Sequence, residues 1–411
     1  MARPSVRDAS ASPRQLLLTL FQRALAAVNG REAVRAWLEA RPLPGPFYLV
    51  ALGKAADAMA GGALEAAGEG LAAGLVVTRR GYLDTEAHRD PRIVALEAGH
   101  PLPDAQSLAA GNALQVFLAQ APADARFLFL ISGGTSSLVE VPVPGLGLEA
   151  LQQLNLWLLG SGLPIADVNR VRAGLSRIKG GRLARQLQDR LVTLLLMSDV
   201  SGDAPSDIGS GLLVPAQPGP LTRLPARFAT LPFQKDAVEV SPSVEAHIVA
   251  SNGIARQVVA AAARQAGQAV QVHDQLPANE AAACGEVVAR FLLQAPKGVH
   301  VWGGETTVKL PKHPGLGGRN QHLALAAARR MAGHGNIFLL SAGTDGSDGA
   351  SDDAGALVDG GSLERGGDAG YDAADCLARA DSGAFLEGSG DLIHTGPTGT
   401  NVMDLIIGYK A

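Results

Sequence analysis

Apolar residues in this chain gather in short continuous runs, each closed by glycine and small polar residues and followed by a longer stretch of mixed character. Phe47–Leu52 (FYLVAL) runs into Gly53-Lys54 and an alanine-rich helix. Further strands are expected at 74–78, 93–96 and 127–131, the last ending in Ser132-Gly133-Gly134-Thr135-Ser136-Ser137. Asp104 is placed to cap a helix that reaches about Gln120. Helical spacing predicts helices over 148–159 and 167–187, before an apolar strand at 191–197 that ends in Ser198-Asp199-Val200. Apolar runs bounded by turns and alternating with helices point to a parallel sheet covered on both faces, because such strands have no solvent side.

The pattern then lapses. Residues 213–242 are rich in proline and poor in periodicity, which marks a boundary or crossing segment. Beyond it, strands are expected at 248–250, 270–272, 299–302, 337–340 and 404–407, with a helix over 320–331. The chain thus reads as two α/β halves, residues 1–240 and 241–411. Ligands of open α/β sheets bind at the carboxyl ends of the strands, so the glycine turns are where function is expected.

Composition narrows the classes. A chain of 411 residues that is 47% hydrophobic and 18% charged buries a large core. A formal net charge of −4 and 4% aromatics argue against a nucleic-acid partner. No apolar run approaches the roughly 20 residues that span a bilayer, so no membrane partner is expected. The first 28 residues lack a clean apolar signal segment and read as an amphipathic helix. Cys284 and Cys376 are far apart and in no metal-binding spacing, which suits a reducing cytoplasm. Only seven of the 35 basic residues are lysine, so a lysine kept in a glycine turn stands out.

The usual nucleotide signatures are absent. There is no G-x-x-x-x-G-K-[ST], no G-x-G-x-x-G after a strand and no protein-kinase motif set. What the chain has is seven other loops rich in backbone N–H donors: ISGGTSS (131–137), RIKGGR (177–182), SDVSGD (198–203), GGETT (303–307), GLGGRNQ (315–321), AGTDGSDG (342–349) and TGPTGTN (395–401). One such loop turns a chain; seven together favour a polyanionic ligand, since glycine lets the backbone approach an anion and a following helix adds positive charge. Lys54 opens a helix after a strand, as a phosphate or carboxylate partner would. Lys179 serves equally well as such a partner or as a helix C-cap cation. Arg319, in a glycine turn before a helix, can clamp a phosphoryl group with two N–H bonds. Asp199 and Asp345 each stand just past an apolar strand, one in each half. The acidic run from Asp345 is not a calcium loop, because its twelfth position is Ala356. Mg²⁺ held by one or two carboxylates and phosphate oxygens suits it better. No histidine pair has zinc spacing, and Ser136 and Ser137 lie outside G-x-S-x-G, so zinc chemistry and serine hydrolysis are not indicated.

In order along the chain, LGKAAD (52–57), ISGGTSSL (131–138), NRVRAGLSRIKGGRLA (169–184), MSDVSGDAPSDIGSG (197–211), GGETTV (303–308), GLGGRNQ (315–321), AGTDGSDG (342–349) and TGPTGTNVMDL (395–405) resemble the class II glycerate kinases. This is the glycerate 2-kinase family with a C-terminal MOFRL domain, some members of which have been called hydroxypyruvate reductases. The resemblance implies an N-terminal Rossmann-like parallel sheet with helices on both faces, a smaller C-terminal α/β domain with its MOFRL region at about 298–405, and an active site in an interdomain cleft. It implies ATP- and Mg²⁺-dependent phosphorylation of D-glycerate, most often at the 2-hydroxyl, in a cytoplasmic enzyme that can be a homodimer.

Carried onto this chain, the catalytic set is Lys54, Arg319, Asp199 and Asp345, with Asp199 and Asp345 as the Mg²⁺ carboxylates. Contacts to substrate or nucleotide are expected from Ser132, Gly133, Gly134, Thr135, Ser136, Ser137, Arg172, Lys179, Gly180, Asn252, Glu305, Asn320, Thr398 and Asn401. The chain departs from the family pattern at Leu212, His322 and Gly383. The rival readings are a hydroxypyruvate reductase, for which no dinucleotide motif is found, and a non-catalytic sugar-acid binding protein.

Overall fold

The computed structural model describes residues 12–83, 86–215, 219, 222–234 and 244–411. The elements run α1 (Pro13–Ala27), α2 (Gly30–Ala40), β1 (Phe47–Leu52), α3 (Ala56–Ala67), β2 (Leu71–Arg79), β3 (Ile93–Ala98), α4 (Ala105–Gln120) and β4 (Arg126–Ile131). Next come α5 (Thr135–Leu138), α6 (Leu148–Gly160), α7 (Ile165–Gly174), α8 (Arg182–Leu187), β5 (Val192–Met197), β6 (Val244–Ala250), α9 (Asn252–Gln265), β7 (Val270–Val272), α10 (Ala281–Gln294) and β8 (Gly298–Gly304). The rest is α11 (Arg319–Met331), β9 (Ile337–Gly343), β10 (Gly355–Asp359), α12 (Ser362–Asp368), α13 (Ala373–Ala378), α14 (Ser382–Ser389), β11 (Leu392–Ile393) and β12 (Asp404–Lys410). Among the described residues no helix is long and apolar enough to cross a membrane.

Two compact units result. The N-terminal unit comprises residues 28–251 and 399–402; the C-terminal unit takes 252–398, 403–411 and also α1. The expected cut at 240 falls in 235–243, outside the described residues. The first helix departs from the two-halves expectation for a physical reason: its apolar stripe, Leu17, Leu20, Phe21 and Ala24, is fully buried, and the helix packs on α9, β9 and β12.

The N-terminal sheet is wholly parallel, in the order β3-β2-β1-β4-β5-β6. Its central strands are continuously apolar because both faces are covered: Val50, Leu52, Phe127, Phe129, Leu194 and Leu196 belong to one core, and Leu49, Leu128, Leu130 and Leu195 are buried on the opposite face. Each such side chain contributes about 1.5–3 kcal/mol by leaving water. Asp104 caps α4 as expected, accepting from the Ser107 amide while the Ser107 hydroxyl accepts from the Asp104 amide. The single helix expected over 167–187 is broken. Gly180 and Gly181 take φ of 64° and 83°, and their amides donate to Ser210 O and Gly211 O in place of the preceding turn. That splits the segment into α7 and α8.

The C-terminal sheet is mixed, in the order β11-β10-β9-β12-β8-β7. Strand β12 lies antiparallel between β8 and β9. Its register sets Asp404 opposite Gly304 on one side and Gly343 on the other. The start of the last strand therefore shares a sheet edge with the GGETT and AGTDG loops.

Candidate active site

In the N-terminal unit the strand order reverses between β1 and β4, the place where open parallel sheets bind ligands. The expected loops emerge there. Gly53 holds φ of 122°, and a side chain on it would collide with Ser132. The amide of Lys54 donates to Gly133 O at 2.9 Å, and that of Ser132 to Leu52 O at 2.9 Å, so the two turns are laced together. Gly133 has no room for a Cβ: one would run into Asp199 Oδ2 and Asn401 Nδ2. Asn401 comes from the 399–402 stretch, and its Nδ2 lies 3.4 Å from Asp199 Oδ2. Lys54 and Asp199 are both half-buried.

The hydroxyls of the glycine loop divide into two kinds. Ser132 accepts from the Ala55 amide at 3.0 Å, and Thr135 donates to Leu52 O and Ser132 O, so both shape the loop. The Ser137 hydroxyl donates to Gly134 O at 3.1 Å. Ser136 Oγ lies 2.8 Å from Ser210 Oγ, which is 2.8 Å from Asn169 Oδ1. With Gly134, Arg172, Asp199 and Asp207, these residues line a cavity of about 160 Å³.

Two expected contacts lie elsewhere. Lys179 is fully buried in an ion pair with Glu140, which also accepts from Ser176 at 2.6 Å. Burial pushes the Lys179 ammonium below its ordinary range, and Glu140 opposes that. Gly180 bonds Ser210 O, as above. Both residues hold the turn after α7 instead of facing the cavity. Glycine-rich sequence around a lysine reads the same in either role, and Glu140 carried no signal of its own.

The C-terminal unit gathers a second set at its shared sheet edge. Arg319, the first residue of α11, donates from Nε to Asp404 Oδ2 at 2.5 Å, and from Nη2 to Asp404 Oδ1 at 3.0 Å and Glu305 at 2.7 Å. Burial works against the guanidinium charge, but Asp404 and Glu305 outweigh it and hold its pKa above the ordinary value. Asn252 Nδ2 donates to Asp404 O at 2.9 Å. Asn320 receives Ser341 Oγ and donates to Asp348, whose carboxylate also accepts the Asn320 and Gln321 amides at 3.0 and 2.8 Å. Asp348 thus supplies the cap that Gly318 cannot. Asp345 accepts the amide and hydroxyl of Ser347, each at 3.2 Å, and Thr398 donates to Thr344 O at 2.5 Å. At the family-pattern departures, His322 Nδ1 lies 3.1 Å from Ser382 Oγ, and a Cβ on Gly383 would come within 2.8 Å of Gln321 Oε1.

Sequence reasoning named Asp348 only within the acidic run and Asp404 only as the start of a strand, and did not single out Glu140. Asp404 had a signal, as the one acid opening an otherwise apolar last strand.

Comparison with known proteins places the chain in a family. Residues 16–248 match the family described as "Domain of unknown function (DUF4147)", and residues 298–404 match the MOFRL family. A protein of Thermotoga maritima named D-glycerate 2-kinase is 36% identical, over 97% of this chain and 98% of its own. One from Agrobacterium vitis named "Putative hydroxypyruvate reductase" is 40% identical, over 96% and 94%. The crystal structure of a glycerate kinase from Thermotoga maritima superposes with a TM-score of 0.86 at 34% identity, covering 97% of this chain and 100% of that one. A two-sheet α/β chain matched at both its parallel and its mixed half is thereby placed: it belongs to the glycerate kinase family that joins DUF4147 to MOFRL.

Proposed function

We propose that this chain transfers the γ-phosphoryl group of ATP to D-glycerate, at the 2-hydroxyl, giving 2-phosphoglycerate and ADP. The observation that carries the reading is the near-full-length likeness to a protein named D-glycerate 2-kinase. The site chemistry supports it. Phosphoryl transfer requires positioning and neutralisation of charge more than a covalent nucleophile. The loops supply that: amides and hydroxyls at Gly133, Gly134, Ser136 and Ser137, with the Lys54 and Arg319 cations.

Mg²⁺ is the metal this reading implies. Among the described residues no three His, Cys, Asp or Glu side chains gather into a cage, so an all-protein site does not fit. A metal arriving with phosphate oxygens and taking one or two carboxylates does fit. Asp199 would hold it, a half-buried carboxylate just past β5 that packs directly against the Gly133 backbone; Asp345 is the second candidate. Bound there, Mg²⁺ neutralises phosphate oxygens. Of the remaining roles, Lys54 in the N-terminal unit and Arg319 in the C-terminal unit are the candidate charge-balancing cations, and whichever of Asp199 and Asp345 does not hold the metal is the candidate proton acceptor. Buried, unpaired Cys284 and Cys376 suit a cytoplasmic enzyme, and assembly as a homodimer belongs to the same proposal.

Phosphorus NMR of the product formed from ATP, Mg²⁺ and D-glycerate tests the reading: a 2-phosphoglycerate resonance is expected, and unchanged ATP would overturn it. The order β3-β2-β1-β4-β5-β6 is also that of dinucleotide-binding folds, which favours the reductase as second reading. Its first turn, however, reads Leu52-Gly53-Lys54 with no G-x-G-x-x-G. NADH or NADPH oxidation by hydroxypyruvate would establish it.

A further inference from the structure

The cavity of about 160 Å³ in the N-terminal unit has room for roughly five waters at their liquid volume. That is the scale of a three-carbon acid and far below that of a nucleoside triphosphate. Its charged lining is uneven, with Asp199 and Asp207 as carboxylates and Arg172 as guanidinium.

Arg172 stands in the last turn of α7. Its Nε donates to Asn155 Oδ1 at 3.0 Å, and Asn155 is itself fixed by donating from Nδ2 to Leu151 O at 2.9 Å within α6. One edge of the planar guanidinium is therefore anchored, which sets its orientation. Among the described residues no carboxylate pairs with Nη1 or Nη2. Glu140, the acid that acts on Arg172 through space, is already taken by Lys179 and Ser176. Asp207 accepts Asn169 Nδ2 at 3.1 Å. A half-buried guanidinium held by one edge, with no carboxylate on Nη1 or Nη2 among the described residues, has the planar fork that suits a carboxylate.

Resting on the kinase reading above, we propose that this cavity is the acid subsite and that Arg172 reads the substrate carboxylate, with Asn155 as its positioning residue. The hydroxyls of the acid then meet Ser136, Ser137 and the Asp207 carboxylate, which repels a second carboxylate and so fixes which end enters. The transferring phosphoryl group meets the acid on the Gly134 and Asp199 side of the cavity, and the rest of the nucleotide lies outside it.

The test is steady-state kinetics with D-glycerate and Mg-ATP, together with calorimetric titration of D-glycerate alone, on wild type, Arg172→Gln, Arg172→Lys and Asn155→Ala. Arg172→Gln is expected to raise KM for D-glycerate roughly a hundredfold, as loss of two charge-assisted hydrogen bonds does, with KM for ATP within about twofold of wild type. Arg172→Lys keeps charge without the fork and is expected to fall between. Asn155→Ala is expected to raise KM for the acid while kcat holds, which a merely structural role would not do. Glycerol, which lacks the carboxylate, is expected to bind wild type and Arg172→Gln alike. An unchanged KM for D-glycerate, or an equal rise in KM for ATP, would overturn the subsite. Should Arg172→Gln fail to fold by circular dichroism, Arg172→Lys and Asn155→Ala carry the same readout. A wild type that makes no phosphoglycerate overturns the kinase reading and the subsite with it; a productive wild type with an indifferent Arg172→Gln overturns the subsite alone.

Discussion

Asp404 receives Arg319 on both carboxylate oxygens, at 2.5 and 3.0 Å, and does so from a site that is 3% exposed. The Arg319 side chain is 36% exposed, but removing it strands the buried Asp404 carboxylate, at about 3 kcal/mol. Arg319→Ala is therefore expected to lower Tm by roughly 10 °C for a unit of this size, apart from any catalytic loss. The double variant Arg319→Ala, Asp404→Asn is expected to regain most of that Tm while kcat stays about 10²–10³ lower. Thermal melts alongside kcat separate the two effects, and a double variant with restored kcat would remove Arg319 from the machinery.

Lys54 presents a simpler case. Its backbone amide is tied to Gly133 O, so the turn keeps its shape when the side chain is shortened. Lys54→Ala is expected to cost about 10²–10³ in kcat. A rate within threefold of wild type contradicts its role.

Gly133 tests the loop itself. A methyl there would run into Asp199 and Asn401, and no fixed left-handed backbone angle is involved. Gly133→Ala is expected to keep the fold and lower kcat/KM by more than about tenfold, by displacing the carboxylate. Assay of purified, folded protein decides it.

The Lys179–Glu140 pair is expected to behave as structure. Glu140→Gln leaves a buried ammonium without its anion and is expected to destabilise by about 3–5 kcal/mol. The double variant Lys179→Met, Glu140→Leu is expected to return close to wild-type stability, because it removes both charges together. Urea unfolding of the three proteins measures this.

Asp348 brings a pH dependence. Burial pushes its carboxyl up to about 6, against the pull of the Gln321 and Asn320 amides; Asp404 adds to the rise and Arg319 opposes it. The native state therefore holds this proton more tightly than the unfolded chain, whose value is about 3.9. The resulting stability is present in full below about pH 4 and is lost as pH rises through about 6, on the order of 3 kcal/mol. Asp348→Asn is expected to flatten that part of the urea-midpoint profile. An unaltered slope in the variant would assign it to other groups.

The sequence showed most clearly those elements whose apolar runs are closed by glycine. Phe47–Leu52, closed by Gly53, matches in both bounds, and Asp104 caps its helix as read. Harder to see was anything set by partners distant in sequence. The helix expected over 167–187 ends at Gly174 because the next residues bond elsewhere, Arg177 to Val141 and Gly180 and Gly181 to residues 210 and 211, which local periodicity cannot register. The antiparallel insertion of β12 places Asp404 beside Gly304 and Gly343, yet its residues read as one more apolar strand. The loops that form the site were legible as loops, because glycine and small hydroxyl residues are distinctive. The acids that orient its cations were not, because a single aspartate or glutamate carries no period.

The placement of α1 bears on how this polypeptide matures. Leu17, Leu20 and Phe21 are buried among α9, β9 and β12, elements that leave the ribosome more than two hundred residues later. The nascent helix must wait with its greasy stripe uncovered while nearly the whole intervening polypeptide is synthesised, a long-range closure that is slow and invites chaperone capture. For the same reason, an expression fragment started at Asn252 would present an oily furrow where that helix belongs.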